Sequence, residues 1–493
     1  MLTIDEIKRT HPSYSAVAKE SSYHLRSYYG GERYKGGNYL TKYLGEASAP
    51  GDQYSKRLAS TPLDNHVQTT VDIYRSFLFR SLPKRELGLL LKNPLVTEWL
   101  MDTDQEGQNM DSFLKSANDI AMVTGSCFIL VDKPSYKVET AAEEIALGIR
   151  AYASMYTPEN VLNWYYERNL AGKMILQHIK VRESENDDTV TYTCWYPDYV
   201  AKYVMSKDDM GQPLKIINYD EYENPLGYIP FVYHAPIKSP TKGVGISLVS
   251  DVANQQKFIY NLMSEIEQTI RISSHPTLVK TPSTEATAGA GGIVSIQDDM
   301  DPGLKPYLLV PSGSTVDSIL DTIAKSVESI QRMTHTSAIQ ATTGSPMSGV
   351  ALQTERQLLS AKLTDIADTL RETEIAMWQI WLDWQALEMP LDFHLEYPET
   401  FDMRDEHLEL DFLLKSRSSG VSNPLFQKEI DRQIVALVVD DAETQSSILQ
   451  DIDTSAFTPV AMQLQRTGDT ITATTENEKV ALLANGYVEL GSN

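Results

Sequence analysis

The chain has 493 residues, of which 42% are hydrophobic and 22% charged, and this composition excludes wholesale disorder. Its net charge of −24 excludes a histone-like DNA-binding protein, because neutralising phosphates requires clustered cations. No apolar run approaches the roughly 20 residues of a membrane span, and the first residues lack the apolar core of a signal peptide. Cys127 and Cys194 are too few for a disulfide framework, which favours a reducing compartment.

The N-terminal region is expected to combine helices with one irregular arm. Hydrophobic spacing predicts helix over residues 1–30, 60–80 and 110–124. The Gly- and Tyr-rich stretch 30–56 instead predicts a long loop or arm. Basic residues and tyrosines in and just before this stretch could bind nucleic acid by charge and stacking. A loop that packs against a neighbouring subunit is the favoured interpretation. The residues concerned are Arg26, Arg33, Lys35 and Lys42 with Tyr28, Tyr29, Tyr34, Tyr39 and Tyr43.

Residues 125–235 are predicted to form a β region. CFILVD is a short apolar strand, and IRAYASMY, KMILQHIKV, VTYTCWY and YVAKYVM follow, separated by polar turns. Alternating β-branched and aromatic residues favour strands. We therefore expect an antiparallel sheet of meandering hairpins.

Residues 243–336 predict two long amphipathic helices around a small insert. At 100° per residue, the apolar side chains of a first helix of about 28 residues fall within about 60° of Leu248. A second helix is expected from about 315 to 336. Between them, 273–312 contains strand-like PTLVK, GIVSI and YLLV. The first helix has an apolar face of Val252, Ile259, Leu262, Met263, Ile266 and Ile270 and a polar face of Lys257, Asn261, Ser264, Gln268 and Arg271. The second has an apolar face of Val316, Ile319, Leu320, Ile323, Val327 and Ile330 and a polar face of Asp321, Lys325, Glu328 and Arg332.

The C-terminal part is expected to begin with a third long helix. Residues 337–350 are small, polar and uncharged, whereas 351–387 have a helical apolar pattern. Strands are predicted within 391–415, in LDFHLEY and LELDFLL, and helix over 421–450. The polar tail from Thr454 is expected to be mobile. Trp378, Trp381 and Trp384 recur at helical spacing. This pattern favours a stripe of core residues over a carbohydrate-stacking platform.

A search for catalytic and ligand-binding motifs finds none. The nine histidines are scattered, without HExxH or CxxC motifs, so neither a metal site nor a catalytic residue is expected. Residues 344–349 have phosphate-loop spacing, but Val350 replaces the required lysine, so no nucleotide cofactor is expected. Paired carboxylates for glycosidase chemistry remain open, because their spacing is spatial. A β-turn is favoured over a calcium loop for Asp298, Asp299 and Asp301.

Several stretches, in this order, carry a resemblance to a known family. They are MVTGSCFILVD at 122–132, YTPENVLNWYYE at 156–167, YIPFVYH at 229–235, the helix entering SSHPTLVKT, and SGVALQTERQLLSAKL at 348–363. Together they resemble the portal proteins of tailed double-stranded-DNA bacteriophages. The order of helix, insert, helix, loop and long helix is the main similarity.

The resemblance implies an α+β portal-like fold that assembles as a ring, usually of twelve copies, at one capsid vertex. Its parts correspond to an α/β wing at 1–240, a first stem helix at 243–272, a small β-containing clip at 273–312, a second stem helix at 313–336, a tunnel loop at 337–350, the long helix and strands of the wing at 351–415, and a short helical crown with a flexible tail at 416–493.

The resemblance also implies a channel for genome packaging and ejection, with no enzymatic activity and no cofactor. The implied partners are the terminase large subunit, a head–tail adaptor, the major capsid protein, a scaffold protein and double-stranded DNA that passes without sequence specificity. The implied location is the virion, after assembly in the host cytoplasm. An acidic wall suits such a channel, because it repels DNA and lets it slide.

Three sets of candidate site residues follow from this resemblance. The tunnel loop would present Gln340, Thr342, Thr343, Ser345, Met347 and Ser348 to DNA. The stem would present Lys257, Arg271, Lys325 and Arg332 to the channel. The clip would contact the terminase through Lys280, Glu285, Asp298, Asp299 and Lys305.

Two alternatives stay open. Another head–tail or baseplate structural protein would lack paired stem helices around a β-containing insert. A carbohydrate-active enzyme is suggested by the acidity, the 26 tyrosines and the 6 tryptophans.

Overall fold

The computed structural model describes residues 2–48, 53–134, 143, 147–208, 210–274, 277–279, 301, 303, 306–309, 313–340, 349–398, 401, 406–417, 424–439, 442–454, 460–464, 470–473, 478, 479, 482, 483, 485 and 487–489. Helices and strands are mixed along the chain, which confirms the α+β prediction. The chain forms two units, Met1–Phe401 and Asp402–Asn493.

Helices dominate the start of the first unit, as predicted. They are α1 (Ile4–Lys8), α2 (Tyr14–Tyr29), α3 (Gly31–Lys35), α4 (Leu44–Ser48), α5 (Gln53–Ser60), α6 (His66–Leu78), α7 (Pro94–Met101) and α8 (Met110–Thr124), with strand β1 (Lys84–Glu86) after α6. Helix α8 begins where the Asn109 side chain accepts a hydrogen bond from the Ser112 N–H at 2.8 Å. It ends at Gly125, whose φ of 93° is left-handed. A Cβ on Gly125 would also lie 2.7 Å from the Gly245 carbonyl oxygen, so this close backbone approach requires glycine.

Two antiparallel sheets follow α8, whereas the sequence predicts one. Strand β2 (Cys127–Asp132) lies between β3 (Tyr152–Tyr156) and β9 (Phe231–His234). The other sheet is a meander of β4 (Val161–Arg168), β5 (Met174–Glu185), β6 (Thr189–Trp195), β7 (Tyr199–Lys207) and β8 (Pro213–Glu223). The meander is confirmed. The separate sheet depends on pairing between β2 and β9, which are far apart in sequence, and local alternation does not reveal such partners.

The three predicted long helices are present. They are α9 (Ser250–Ser274), α10 (Gly313–Met333) and α12 (Gly349–Trp384), with the short α11 (Ser337–Gln340) before α12. Strands β10 (Thr277–Val279) and β11 (Tyr307–Leu309) lie between α9 and α10 and pair with each other. Strand β12 (His394–Glu396) pairs with β1.

The tryptophan stripe on α12 belongs to the core. Trp378 and Trp381 are fully buried, with ring centroids 6.4 and 6.0 Å from that of Trp99 on α7. Trp384 donates its Nε1–H to the Val131 carbonyl at 2.9 Å. The core interpretation is therefore confirmed, since these rings offer no exposed stacking platform.

The second unit contains three helices and a small sheet among its described residues. The elements are α13 (Glu406–Arg417), α14 (Pro424–Val438), α15 (Ala442–Thr454), β13 (Val460–Leu464), β14 (Thr470–Ala473) and β15 (Tyr487–Glu489), with β13 central. The strand predicted for LELDFLL is wrong, because it lies in α13. Its alternation suits a strand, but Leu and Glu are also good helix formers. The tail expected to be mobile instead contributes three paired strands.

The fully buried carboxylate of Glu374 links α12 to neighbouring elements through hydrogen bonds. Glu374 accepts hydrogen bonds from Arg85 Nε at 2.6 Å, the Tyr397 hydroxyl at 2.5 Å and Trp378 Nε1 at 3.2 Å. Arg85 also donates to Asp111 Oδ1 at 2.6 Å. A buried charge is tolerated when it is paired and hydrogen-bonded. The network thus joins α12 to β1, α8 and the residues after β12.

We expect Glu374→Gln to lower the free energy of unfolding by about 3 kcal/mol in urea denaturation, because the buried Arg85 loses its main counter-ion. Glu372→Gln is a matched control two positions earlier. It removes only the exposed ion pair with Lys238 and should cost less than about 1 kcal/mol. Equal losses for the two variants would contradict the assigned role of Glu374.

A buried histidine makes the first unit sensitive to acid. His234 on β9 is 1% exposed, with Nδ1 2.8 Å from Thr373 Oγ1 and Nε2 3.3 Å from Asn118 Oδ1. Burial lowers the pKa of His234 to about 4. Between that value and the ordinary histidine pKa of about 6.5, the unfolded chain binds a proton that the folded chain does not. Stability is therefore lost as the pH falls through this window.

Replacing His234 tests whether its titration lowers the stability of the folded chain in acid. From pH 7 to pH 5, the titration of His234 should remove about 2 kcal/mol of unfolding free energy. His234→Gln should be less stable at pH 7 but should lose about 2 kcal/mol less on acidification, as measured by urea denaturation. An unchanged pH dependence would show that His234 is not the titrating group.

Candidate channel-facing helix pair

Helices α9 and α10 form an antiparallel pair. They have 25 and 21 residues, so their lengths are about 38 and 32 Å. At one end they lead into the two-stranded sheet, in which Thr277 pairs with Leu309 and Val279 with Tyr307. The predicted order of helix, strand, strand and helix is confirmed for the described part of 243–336.

The opposite end of the pair lies in the core of the first unit. Val252 and Ile259 of α9 and Ile330 of α10 are at most 3% exposed and pack with residues of α6 and α12. The Tyr74 hydroxyl on α6 donates to the Thr334 carbonyl, just after α10, at 2.8 Å. The base of the pair is therefore held by both apolar packing and a buried hydrogen bond.

The apolar stripe becomes exposed towards the β10–β11 sheet. On this stripe, Ile270 of α9 is 53% exposed and Leu320 of α10 is 48% exposed. An amphipathic helix gains its stability by burying such a stripe. The single chain leaves this part of the stripe uncovered among the residues described.

The two predicted stem cations on α9 have partners within the chain. The Lys257 Nζ lies 5.8 Å from the centre of the Tyr39 ring. Arg271 pairs with Glu267 one turn earlier, with an Nε to Oε1 distance of 3.0 Å. Both lie on the predicted polar face, but they do not form one cluster of unpaired charge.

The two predicted stem cations on α10 are exposed. Lys325 and Arg332 share one face of the helix with Asp321 and Glu328. Neither cation has an ion-pair partner in the part of the chain that the structure describes. This face confirms the predicted polar side of the helix.

Described residues of the stretch 30–56 pack against α9, so the prediction of an unpacked loop is wrong for them. It contains α3, α4 and the start of α5, and Tyr34 and Leu40 are at most 3% exposed beside Tyr260 of α9. Asn261 Oδ1 accepts the Thr41 N–H at 2.8 Å. The glycine-rich composition predicted a loop, because composition does not show which tyrosines pack against a helix far away in the sequence.

Arg57 is the central contact between this arm and α9. It is 4% exposed and donates to both carboxylate oxygens of Glu46, at 2.8 and 2.6 Å, and to Ser264 Oγ at 2.9 Å. Its guanidinium lies 3.9 Å from the centre of the Tyr43 ring, and the Tyr43 hydroxyl donates to Glu265 at 2.7 Å. Ser264, expected on a solvated face, is therefore buried. The helical period places polar residues on one face but does not reveal that another segment covers it.

Most of the predicted loop and clip residues lie outside the described residues. These are Thr342, Thr343, Ser345, Met347 and Ser348 of the loop and Lys280, Glu285, Asp298, Asp299 and Lys305 of the clip. Gln340 ends α11, and its side chain is likewise outside the description. Asp301 Oδ1 accepts the Gly303 N–H at 2.9 Å, which fits the predicted turn.

Neither a metal site nor a membrane span is found among the described residues. No group of three or more His, Cys, Asp or Glu side chains there could hold a metal ion. None of the helices in that part of the chain is long and apolar enough to cross a membrane. Cys127 and Cys194 are both buried and free, and burial raises the pKa of each thiol to about 12.

A half-open cleft of about 680 Å³ lies between β5, β9 and α12. Its apolar floor includes Phe231, Val232 and Ile380, and the Lys238–Glu372 pair stands at its rim. It is distinct from the helix pair, and within its lining the Tyr228 hydroxyl donates to Asp383 Oδ2 at 2.5 Å.

Comparisons with known proteins give distant structural likenesses and no match in sequence. No protein-family model matches this sequence, and no curated protein matches it. A solved structure described as the neck of an empty GTA particle, computed with C6 symmetry, aligns with 78% of this chain and 94% of that chain. The sequence identity is 10% and the TM-score 0.44, too distant for an argument about function.

We expect Arg57→Met to loosen the arm from α9. It leaves the Glu46 carboxylate, 7% exposed, without its partner and should cost about 3 kcal/mol of local stability. Amide hydrogen exchange should rise in α3, α4 and α5. Lys56→Met alters an exposed neighbour and should change exchange little. Equal exchange in both variants would contradict a central role for Arg57.

Proposed function

We propose that the chain is a portal protein of a tailed double-stranded-DNA bacteriophage. In this proposal, twelve copies assemble into a ring around a channel for genome packaging and ejection. The observation that supports it most is the α9–α10 pair, anchored at one end, leading into β10–β11 at the other, and followed by the 36-residue α12. The resemblance of the sequence to portal proteins predicts this same order of elements.

The exposed stripe supports assembly with further copies. Ile270 and Leu320 would be covered if the α9–α10 pairs of neighbouring copies packed side by side. The polar face of α10 would then be free to line an opening. With a net charge of −24 for each copy, the ring would repel DNA rather than bind it tightly.

The partners belong to the same proposal. The terminase large subunit would dock on 273–312, and a head–tail adaptor and the capsid protein would contact other parts of the ring. The loop within 337–350 would lie next to the DNA. The buried tryptophan stripe gives no support to a carbohydrate-active enzyme, and the paired helices favour a portal over another head–tail protein.

Assembly of the purified chain tests this proposal. Negative-stain microscopy should show rings with a central hole, whose copies can be counted. Leu320→Asp should raise the protein concentration needed for half-maximal ring formation at least tenfold, because assembly would bury an unpaired charge. The monomer should fold normally, since this side chain is half-exposed.

Thr322→Asp is the matched control, because it adds the same charge to an exposed position on the same helix. It should leave ring formation unchanged. The proposal fails if the unchanged chain forms no rings, or if both variants assemble equally well.

A further inference from the structure

Three leucines form an exposed apolar tip on the first unit. Leu89 and Leu91 lie in the short 3₁₀ helix between β1 and α7 and are 69% and 58% exposed, and Leu391, before β12, is fully exposed. The two segments adjoin, because a Cβ on Gly88 would collide with the Asp392 side chain. Contiguous exposed apolar side chains on a folded protein mark a surface that a partner covers. We call Leu89, Leu91 and Leu391 the leucine tip.

The leucine tip and the cleft between β5, β9 and α12 lie on opposite sides of α12. The α12 side chains that line the cleft recur every three or four residues and lie within about 60° of Ala376 around the helix axis. Trp378 projects about 200° away from Ala376 on the same helix. Its ring centroid lies 5.9 Å from that of Phe393, two residues after Leu391 of the tip. One copy therefore presents an apolar projection on one side of α12 and an apolar cleft on the other.

The tip and the cleft also carry complementary charges. Lys92 directly follows Leu91, is exposed, and has no ion-pair partner in the described part of the chain. Asp383 lines the cleft and accepts hydrogen bonds from the Tyr228 hydroxyl at 2.5 Å and from Gln379 Nε2 at 2.9 Å. Both donors are neutral, and no described cation forms an ion pair with Asp383. The cleft therefore holds a half-buried carboxylate that a lysine of a partner would complement.

We propose that the leucine tip of one copy occupies the cleft of the next copy. This inference rests on the proposed function, because it assigns one contact that would close the ring. The two surfaces differ, so the contact is heterologous, and repeating it generates a ring when the rotation closes. The leucines would cover the apolar floor of the cleft, whose volume of about 680 Å³ lies in the range of pockets that enclose apolar groups. Lys92 would then approach Asp383.

Cross-linking between full-length copies tests this contact. Leu91→Cys and Gln379→Cys are placed on separate chains with different affinity tags, produced together, and treated with a short bifunctional thiol reagent. We expect at least tenfold more covalent dimer carrying both tags than from Leu91→Cys produced with Lys215→Cys, an exposed position on β8 outside the cleft. The native Cys127 and Cys194 are both buried, which limits background labelling.

Charge reversal tests the pairing of Lys92 with Asp383 by ring formation. Lys92→Asp and Asp383→Lys should each raise the protein concentration needed for half-maximal ring formation about fivefold, because each places like charges together. The double variant should return to within about twofold of the unchanged chain, because the pair is restored in the opposite sense. A double variant no better than the single variants would overturn this pairing.

Microscopy of the same samples separates this inference from the portal proposal. Rings whose cross-linking does not exceed that of the control would overturn the contact between tip and cleft and leave the portal proposal standing. That outcome would also be expected if a different protein or a small molecule occupied the cleft. Specific cross-links without closed rings would support the contact and contradict the portal proposal. Neither cross-links nor rings would overturn both.

Discussion

The buried carboxylate of Glu374 is the constraint on which the first unit depends. It lies within α12 and accepts hydrogen bonds from Arg85, Tyr397 and Trp378, which belong to or adjoin different elements. Removing Arg85 would leave the Glu374 charge uncompensated in the core, and removing Tyr397 or Trp378 would cost the carboxylate a hydrogen bond. That arrangement also places α12 against the three-stranded sheet and against the base of the α9–α10 pair. The position of the helix pair is thus tied to a single ionic network.

Helix α9 shows how polar residues can serve packing as well as solvation. Its apolar face lies in the core. Part of its polar face is covered by the N-terminal segment, where the Thr41 N–H donates to Asn261 and Arg57 donates to Ser264. The arm satisfies these polar groups directly, which is what permits their burial. Both sides of the anchored half of α9 are therefore held within the chain. The last turns of α9, which lead towards β10, have fewer such contacts, and Ile270 there is 53% exposed.

This gradient of burial connects folding with the proposed assembly. Near the core, the helix pair is stabilised by its own chain, and further out it exposes the apolar side chains of Ile270 and Leu320. A ring would bury those side chains between copies without requiring any change at the base. The predicted DNA-facing loop remains a prediction.

The sequence by itself determined the elements and much of their order. Helix α8, strand β2, the β4–β8 meander and the three long helices follow from local periodicity, because side chains repeat every 3.6 residues on a helix and every 2 on a strand. The candidate helix pair was predictable for the same reason. Only the tertiary structure decided that Ser264 is buried, that β9 pairs with β2 and that the Gly- and Tyr-rich arm packs on α9. Each of these joins residues far apart in the chain, and such contacts depend on complementary shape and charge that local patterns do not encode.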